Sequence, residues 1–334
     1  MATPTEQLDD SEGGPLERWT KRAIKDPQRV YRALFYVAMA FFVVTTLFPF
    51  YWLLVLAVTP RQNLLSGSFL PEIDLFGAGM TFPLPVPRKG FAPGSFITIF
   101  EQIPFHLFVL NSFVLAITTT IIVLFVASLS GYVFGRLDFP GRALLMLGIL
   151  AVSYFPPAAF LIPLFEAFAG NEPIVIPFTQ IPLFTAPRLL NTPGSMVIPF
   201  SGLFLPLAVF ILTTFYAQIP DGLEDAARVE GTTRLGALFR VIMPLSAPGV
   251  ATAAVLTFIS VYNEYFFSSL MALSPSAENW SPLVGGILSY QTQYTTQFNL
   301  MAAASVVGVL PVVILVVVAQ ERIVSGLTSG ALKE

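Results

Sequence analysis

The sequence is poor in charge. Asp, Glu, Lys and Arg make up 11% of its 334 residues, against 55% hydrophobic residues. A soluble domain carries about 25% charge, so water-soluble enzymes and nucleic-acid-binding proteins are excluded first. The formal net charge of −3 gives nucleic acid no basic surface to meet. There is no cysteine, which removes disulfide frameworks, thiolate nucleophiles and cysteine metal sites. The single histidine, His106, removes multi-histidine metal centres. It sits beside Pro104 at the edge of an apolar run and reads as a surface or interface residue. No glycine-rich phosphate loop is present: Lys21, Lys25, Lys89 and Lys333 all fall outside the frame such a loop requires. With no paired acids inside the apolar runs either, no catalytic constellation and no metal site is expected.

What the chain does have is long uncharged stretches, each sufficient for a membrane helix at roughly 18 residues or more. Six are expected. They run over Ala33–Val58, from about Pro104 to Arg136, over Ala143–Phe165, over Ser195–Ala217, from Val241 to Leu273 with Glu264 embedded, and over Phe298–Ala319. The stretch from Ile174 to Phe184 is apolar but broken by proline and too short to cross, so it reads as an external or re-entrant loop. Orientation follows from the basic residues, which favour the cytoplasmic side. With the N-terminus inside, 13 of the 17 lie in inner segments, among them Arg136, Arg142, Arg228, Arg234 and Arg240. Only Arg61, Arg88, Lys89 and Arg188 fall outside. The expected organisation is an all-α membrane protein with both termini cytoplasmic. It comprises a tail at 1–32, a transmembrane domain at 33–320 and a second tail at 321–334. External loops lie at 59–103, 166–194 and 274–297, and a charged cytoplasmic loop at 219–240.

That charged loop is the most informative segment. After Pro220, Asp221 and Glu224 suit a reciprocal cap on a short helix, and Gly231 suits the left-handed residue that ends one. Thr232 is placed to cap the helix that follows. Leu223, Ala226 and Ala227 share a face, and Glu224 stands four residues before Arg228. A capped helix with a flat apolar face and a charged rim suits docking, although an ordinary solvated connector stays open as the alternative.

The pattern Asp225-Ala226-Ala227, then Gly231, then Pro244 resembles the E-A-A loop of ATP-binding-cassette importer permeases. Further stretches are similar to the sugar-uptake branch, notably its smaller maltose-type permease subunit: Asn111-Ser112, Arg136–Arg142, Tyr262-Asn263-Glu264 and Gly326–Lys333. Two acids are exchanged relative to the family pattern, with Asp225 in place of Glu and Glu230 in place of Asp. The external segments before the second span and between the third and fourth are longer than usual. The resemblance implies a type I importer permease in the cytoplasmic membrane of a prokaryote. Its expected partners are a second permease subunit, two ATPase subunits, an external solute-binding protein and the lipid bilayer, with no nucleic acid. ATP and magnesium would be held by the ATPase partner, leaving no cofactor on this chain and no enzymatic role for it. Glu224, Asp225, Ala226, Ala227, Arg228, Glu230, Gly231 and Pro244 would couple to that ATPase.

Polar residues inside spans mark possible pathways, here Asn111, Tyr262, Asn263 and Glu264, against the alternative of plain interhelical hydrogen bonds. Tyr290, Gln291, Gln293 and Tyr294 resemble the external loop that reaches into the binding protein. The function so implied is ATP-driven sugar import by alternating access. Import of a non-sugar solute, and an ATP-independent carrier or channel relaying through Glu264, are kept as alternatives.

Overall fold

The computed structural model describes residues 27–64, 90–170, 173–176, 179, 181–184 and 187–331. Most of the expected N-terminal tail, the bulk of the 59–103 loop and the last three residues lie outside the described residues. The chain divides at Val55/Leu56 into two units. The first contains most of helix α1 (Pro27–Val58), whose side chains from Tyr31 to Phe50 are exposed and overwhelmingly apolar. A helix apolar all round is the composition of a membrane span.

The second unit is built on four longer helices: α4 (Phe105–Arg136), α7 (Gly194–Ala217), α11 (Ala247–Tyr262) and α14 (Phe298–Ala331). Around them run α2 (Arg61–Leu64), α3 (Ser95–Gln102), α5 (Arg142–Val152), α6 (Ala158–Ala169), α8 (Asp221–Val229), α9 (Arg234–Ala237), α10 (Met243–Leu245), α12 (Ser268–Met271) and α13 (Leu283–Leu288). Two short antiparallel strands, β1 (Ile174–Val175) and β2 (Pro182–Phe184), pair Ile174 with Phe184 inside the loop at 166–194. Otherwise the regular structure of the described residues is helical.

Four helices among the described residues are long and apolar enough to cross a membrane: α1, α4, α7 and α14. The expected third span is interrupted. Pro156 and Pro157 supply no backbone N–H, so the run becomes α5 and α6. The expected fifth span does not begin at Val241. Leu238–Ile242 forms a π-helical turn, and the chain bends by 84° between the Arg234–Leu245 segment and α11. It then leaves the helix at Asn263. Counted as one bent span, this pair makes five.

Helices α4 and α7 pack closely because α4 carries small residues every fourth position, at Ala127, Gly131 and Gly135. A Cβ added at Gly131 would lie 2.9 Å from the Leu212 Cβ, and one at Gly135 would lie 3.0 Å from the Thr213 carbonyl oxygen. Lipid supplies no hydrophobic drive between helices, so such close backbone approach is what van der Waals cohesion in a membrane requires. Ala127, Leu212 and Tyr216 continue this contact into a core that also takes in Leu238, Ile242 and Ala253. The core therefore seats Leu238 and Ile242 of the π-turn against the α4–α7 pair.

Candidate functional site: an exposed helix at the end of the bundle

Helix α8 begins where Pro220 sets an extended ψ of 136° and its carbonyl accepts from the Leu223 amide. The helix therefore starts one residue earlier than the capping pattern implied. Asp221 is its first residue and makes no side-chain cap. Asp221 and Glu224 occupy the first turn and Arg228 the last, the arrangement the helix dipole favours. The end follows the sequence closely. The Thr232 amide donates to Ala227 and the Gly231 amide to Arg228, each at 3.0 Å, while Gly231 takes φ +90°. This paired closure with a left-handed glycine satisfies carbonyls the helix would otherwise leave open. Thr233 rather than Thr232 then caps α9, its hydroxyl accepting from the Gly236 amide at 3.1 Å.

Glu224 does not pair with Arg228. It turns inward, toward the end of α4. Its Oε2 meets the Arg136 Nε at 3.0 Å, and its Oε1 accepts from the Tyr132 hydroxyl. Arg136 also donates to the Ile219 carbonyl and lies 2.9 Å from an Asp221 oxygen. Its side chain is only 4% exposed and that of Glu224 only 10%, whereas Asp221 is 90% exposed. Arg228 is left with Asp225, 3.6 Å away. Across the rest of α8 the side chains stay open: Leu223 is 45% and Val229 89% exposed, Asp225, Ala226 and Arg228 are exposed, and Ala227 is half-buried. Glu230 is exposed at the helix end, and Pro244 lies in α10 beyond the π-turn.

The other candidate residues lie toward the opposite end of α4, where Asn111 stands about 38 Å from Arg136 at 1.5 Å of rise per residue. There Asn111 donates to the Ala277 and Ser281 carbonyls at 2.8 and 3.1 Å, and the Ser112 hydroxyl accepts from the Leu283 amide. Tyr262 donates to the Gly308 carbonyl, and Asn263 bonds back to Ile259 within its own helix. These three members of the expected pathway thus make intrachain hydrogen bonds. Glu264 accepts from the Phe267 and Ser268 amides, opening α12, and also lines a cavity of about 450 Å³ with Ser153, Leu203 and Phe204. Each of the four bonds to a different partner: the 277–281 carbonyls, Gly308, Ile259 and the start of α12.

Of the loop residues, Tyr290 is an anchor. It is buried and donates to the Ile99 carbonyl of α3 at 2.6 Å, and burial pushes its phenol up, so it remains a neutral donor. Beyond it the chain forms a tight turn, with Gln291 bridged to Thr296 and the Thr292 amide bonded to the Thr295 carbonyl. Gln291 and Gln293 are exposed and Tyr294 is 89% exposed at the tip.

A model of the family described as binding-protein-dependent transport system inner membrane component matches residues 127–329. The chain belongs to this family. The matched stretch of the permease contains Tyr132, Arg136 and the whole of α8. Among its relatives is the sulfoquinovosyl glycerol transport system permease protein of Agrobacterium fabrum, 34% identical over 302 residues that cover 90% of this permease and 94% of the relative. The trehalose/maltose transport system permease protein of Thermococcus litoralis is 28% identical over 302 residues, covering 90% and 97%. The permease also shares its fold with a chain of a bacterial ABC transporter involved in the import of the acidic polysaccharide alginate. That match has a TM-score of 0.67 at 18% identity and covers 90% of this chain and 98% of the other.

Reasoning from sequence placed α8 and its closing glycine but missed Tyr132 and the inward turn of Glu224. One signal was available: Arg136 closes a 32-residue helix otherwise free of Asp, Glu, Lys and Arg, and such a group needs an acid nearby.

Proposed function

We propose that the chain is one permease subunit of an ATP-driven importer that carries a sugar inward across the cytoplasmic membrane of a prokaryote. It is joined there by a second permease, two ATPase subunits and an external solute-binding protein. Six spans with both termini cytoplasmic complete the type I arrangement, α5 and α6 together serving as the third. The observation that carries the coupling role is the geometry of α8. This nine-residue helix is closed at its C-terminal end, held to the bundle through Glu224 and Arg136, and leaves Leu223, Ala226 and Val229 uncovered. A helix so short is not stable alone in water, so the scaffold must hold it in place, and its open apolar face suits a cleft in the ATPase. ATP and magnesium belong to that partner. Closure of the ATPase pair displaces α8, and the bundle shifts between inward- and outward-open states, a rigid-body switch. The assignment to sugars rests on the transport named for both relatives.

The test is to purify the complex on this chain and assay solute uptake in proteoliposomes. Co-purification of an ATPase and sugar-dependent uptake are expected. A bulky Ala227→Trp is expected to abolish uptake while the binding protein still binds sugar. A complex without an ATPase, or uptake unaffected by Ala227→Trp, refutes the coupling assignment.

A further inference from the structure

Helix α8 is attached to the bundle in an unusual way. Of its nine residues Glu224 is the one that is buried, so the helix is held through a carboxylate and not through an apolar face. Both oxygens of that carboxylate are occupied, one by Tyr132 and one by Arg136, and both donors lie on the last turns of α4. Arg136 closes the arrangement by also holding the Ile219 carbonyl, just before the helix, and the Asp221 carboxylate at its first residue. The two carriers of the central pair are 88 residues apart in sequence. At the far end of the same helix, Asn111 and Ser112 hold the backbone of Ala277, Ser281 and Leu283. One continuous helix, with no proline inside it, thus has α8 fixed at one end and the 277–283 segment fixed at the other.

We infer that Arg136 is a positioning residue for energy coupling: it locks α8 to α4, so that displacement of α8 moves α4 as a lever and reaches the 277–283 segment. The inference rests on the docking role proposed for α8 and adds the joint through which that role is exercised. A buried pair transmits displacement because breaking it leaves a charge unpartnered, so the joint holds or fails as a unit. The apolar face of α8, free of this attachment, is kept for the partner.

The experiment uses the full complex, with its ATPase and binding protein, in proteoliposomes. It reads three quantities: ATPase co-purification, ATP hydrolysis, and solute taken up per ATP. Arg136→Gln is expected to keep the ATPase bound and hydrolysing while solute per ATP falls by about tenfold, within the range seen for coupling mutations. Tyr132→Phe, which removes one hydroxyl, is expected to show a smaller loss of the same kind. The exchange Arg136→Glu with Glu224→Arg is expected to regain part of what either single change loses. Unchanged solute per ATP in Arg136→Gln overturns the inference while leaving docking intact. So does loss of the ATPase from Arg136→Gln together with full coupling in Tyr132→Phe, because the network would then only fold the loop. Absence of an ATPase from the wild-type complex would overturn the docking role, and the lever with it.

Discussion

Gly231 offers the sharpest test of how α8 is closed. Its φ is +90°, and a Cβ built there meets no atom within 4 Å. Substitution therefore carries no steric clash with the surroundings, and its cost is the backbone conformation alone. Forcing an L residue into the left-handed region costs about 1–2 kcal/mol. Asparagine tolerates that region better than alanine although it is larger. Proline is worst, because it fixes φ near −65° and removes the amide that donates to Arg228, at a cost of about 3 kcal/mol or more. The expected order of damage is therefore Asn, then Ala, then Pro, which is not the order of size. The assay is hydrogen exchange at the Thr232 amide, which the closing turn holds on the Ala227 carbonyl at 3.0 Å. For Gly231→Ala, 1–2 kcal/mol corresponds to exchange about 5- to 30-fold faster. Uptake should fall in the same order. Equal exchange in the Asn and Ala variants, or Pro behaving like wild type, would refute the conformational argument and with it the closed geometry of α8.

Four further variants probe packing and exposure. Gly131→Val should push α4 off Leu212 and lower the thermal midpoint of the detergent-solubilised complex, at a cost of about 1–3 kcal/mol; an unchanged midpoint would contradict the close α4–α7 contact. Asn111→Leu should leave the Ala277 and Ser281 carbonyls without their donor and cost about 1–3 kcal/mol in the same assay. Its ATPase content should be unaltered, because the site lies at the far end of α4; loss of ATPase would argue against that separation. Tyr294→Ala should leave the midpoint where it is, since the side chain is 89% exposed, but should weaken stimulation of ATP hydrolysis by the binding protein. Tyr290→Phe should do the reverse, lowering the midpoint through loss of the bond to Ile99. A stability loss in the first or none in the second would invert the roles assigned to tip and anchor.

The places where expectation and structure part have local causes. The third run was uncharged throughout, but hydropathy does not register that two consecutive prolines remove hydrogen-bond donors, and the helix breaks at Pro156 and Pro157. The fifth run takes in Val241 and Ile242 because both are apolar, but they belong to a π-turn that puts Leu238 and Ile242 in the core, and the chain bends after it. The α8 cap shifted by one residue because Pro220, with its own extended ψ, already opens the helix. For Asn111 and Tyr262 polarity leaves two readings open, a pathway or an interhelical hydrogen bond, and only the structure adds that Asn111 donates to the Ala277 carbonyl and Tyr262 to that of Gly308.

Two properties were settled by the amino acids in order. The uncharged lengths of α4 and α7 determine membrane helices, because a backbone in hydrocarbon must satisfy its own hydrogen bonds. Gly231 determines where α8 stops, because its neighbours within the turn complete the closure. The tertiary structure alone decided that Glu224 faces inward to Arg136 and Tyr132 while Leu223 and Val229 face out. That choice depends on which helix ends meet across 88 residues of chain, and nearest-neighbour patterns carry no record of such a meeting. The separation of Tyr290 from Tyr294 has the same origin: the two tyrosines are alike in sequence, and one becomes an anchor only because α3 places the Ile99 carbonyl within reach of its hydroxyl.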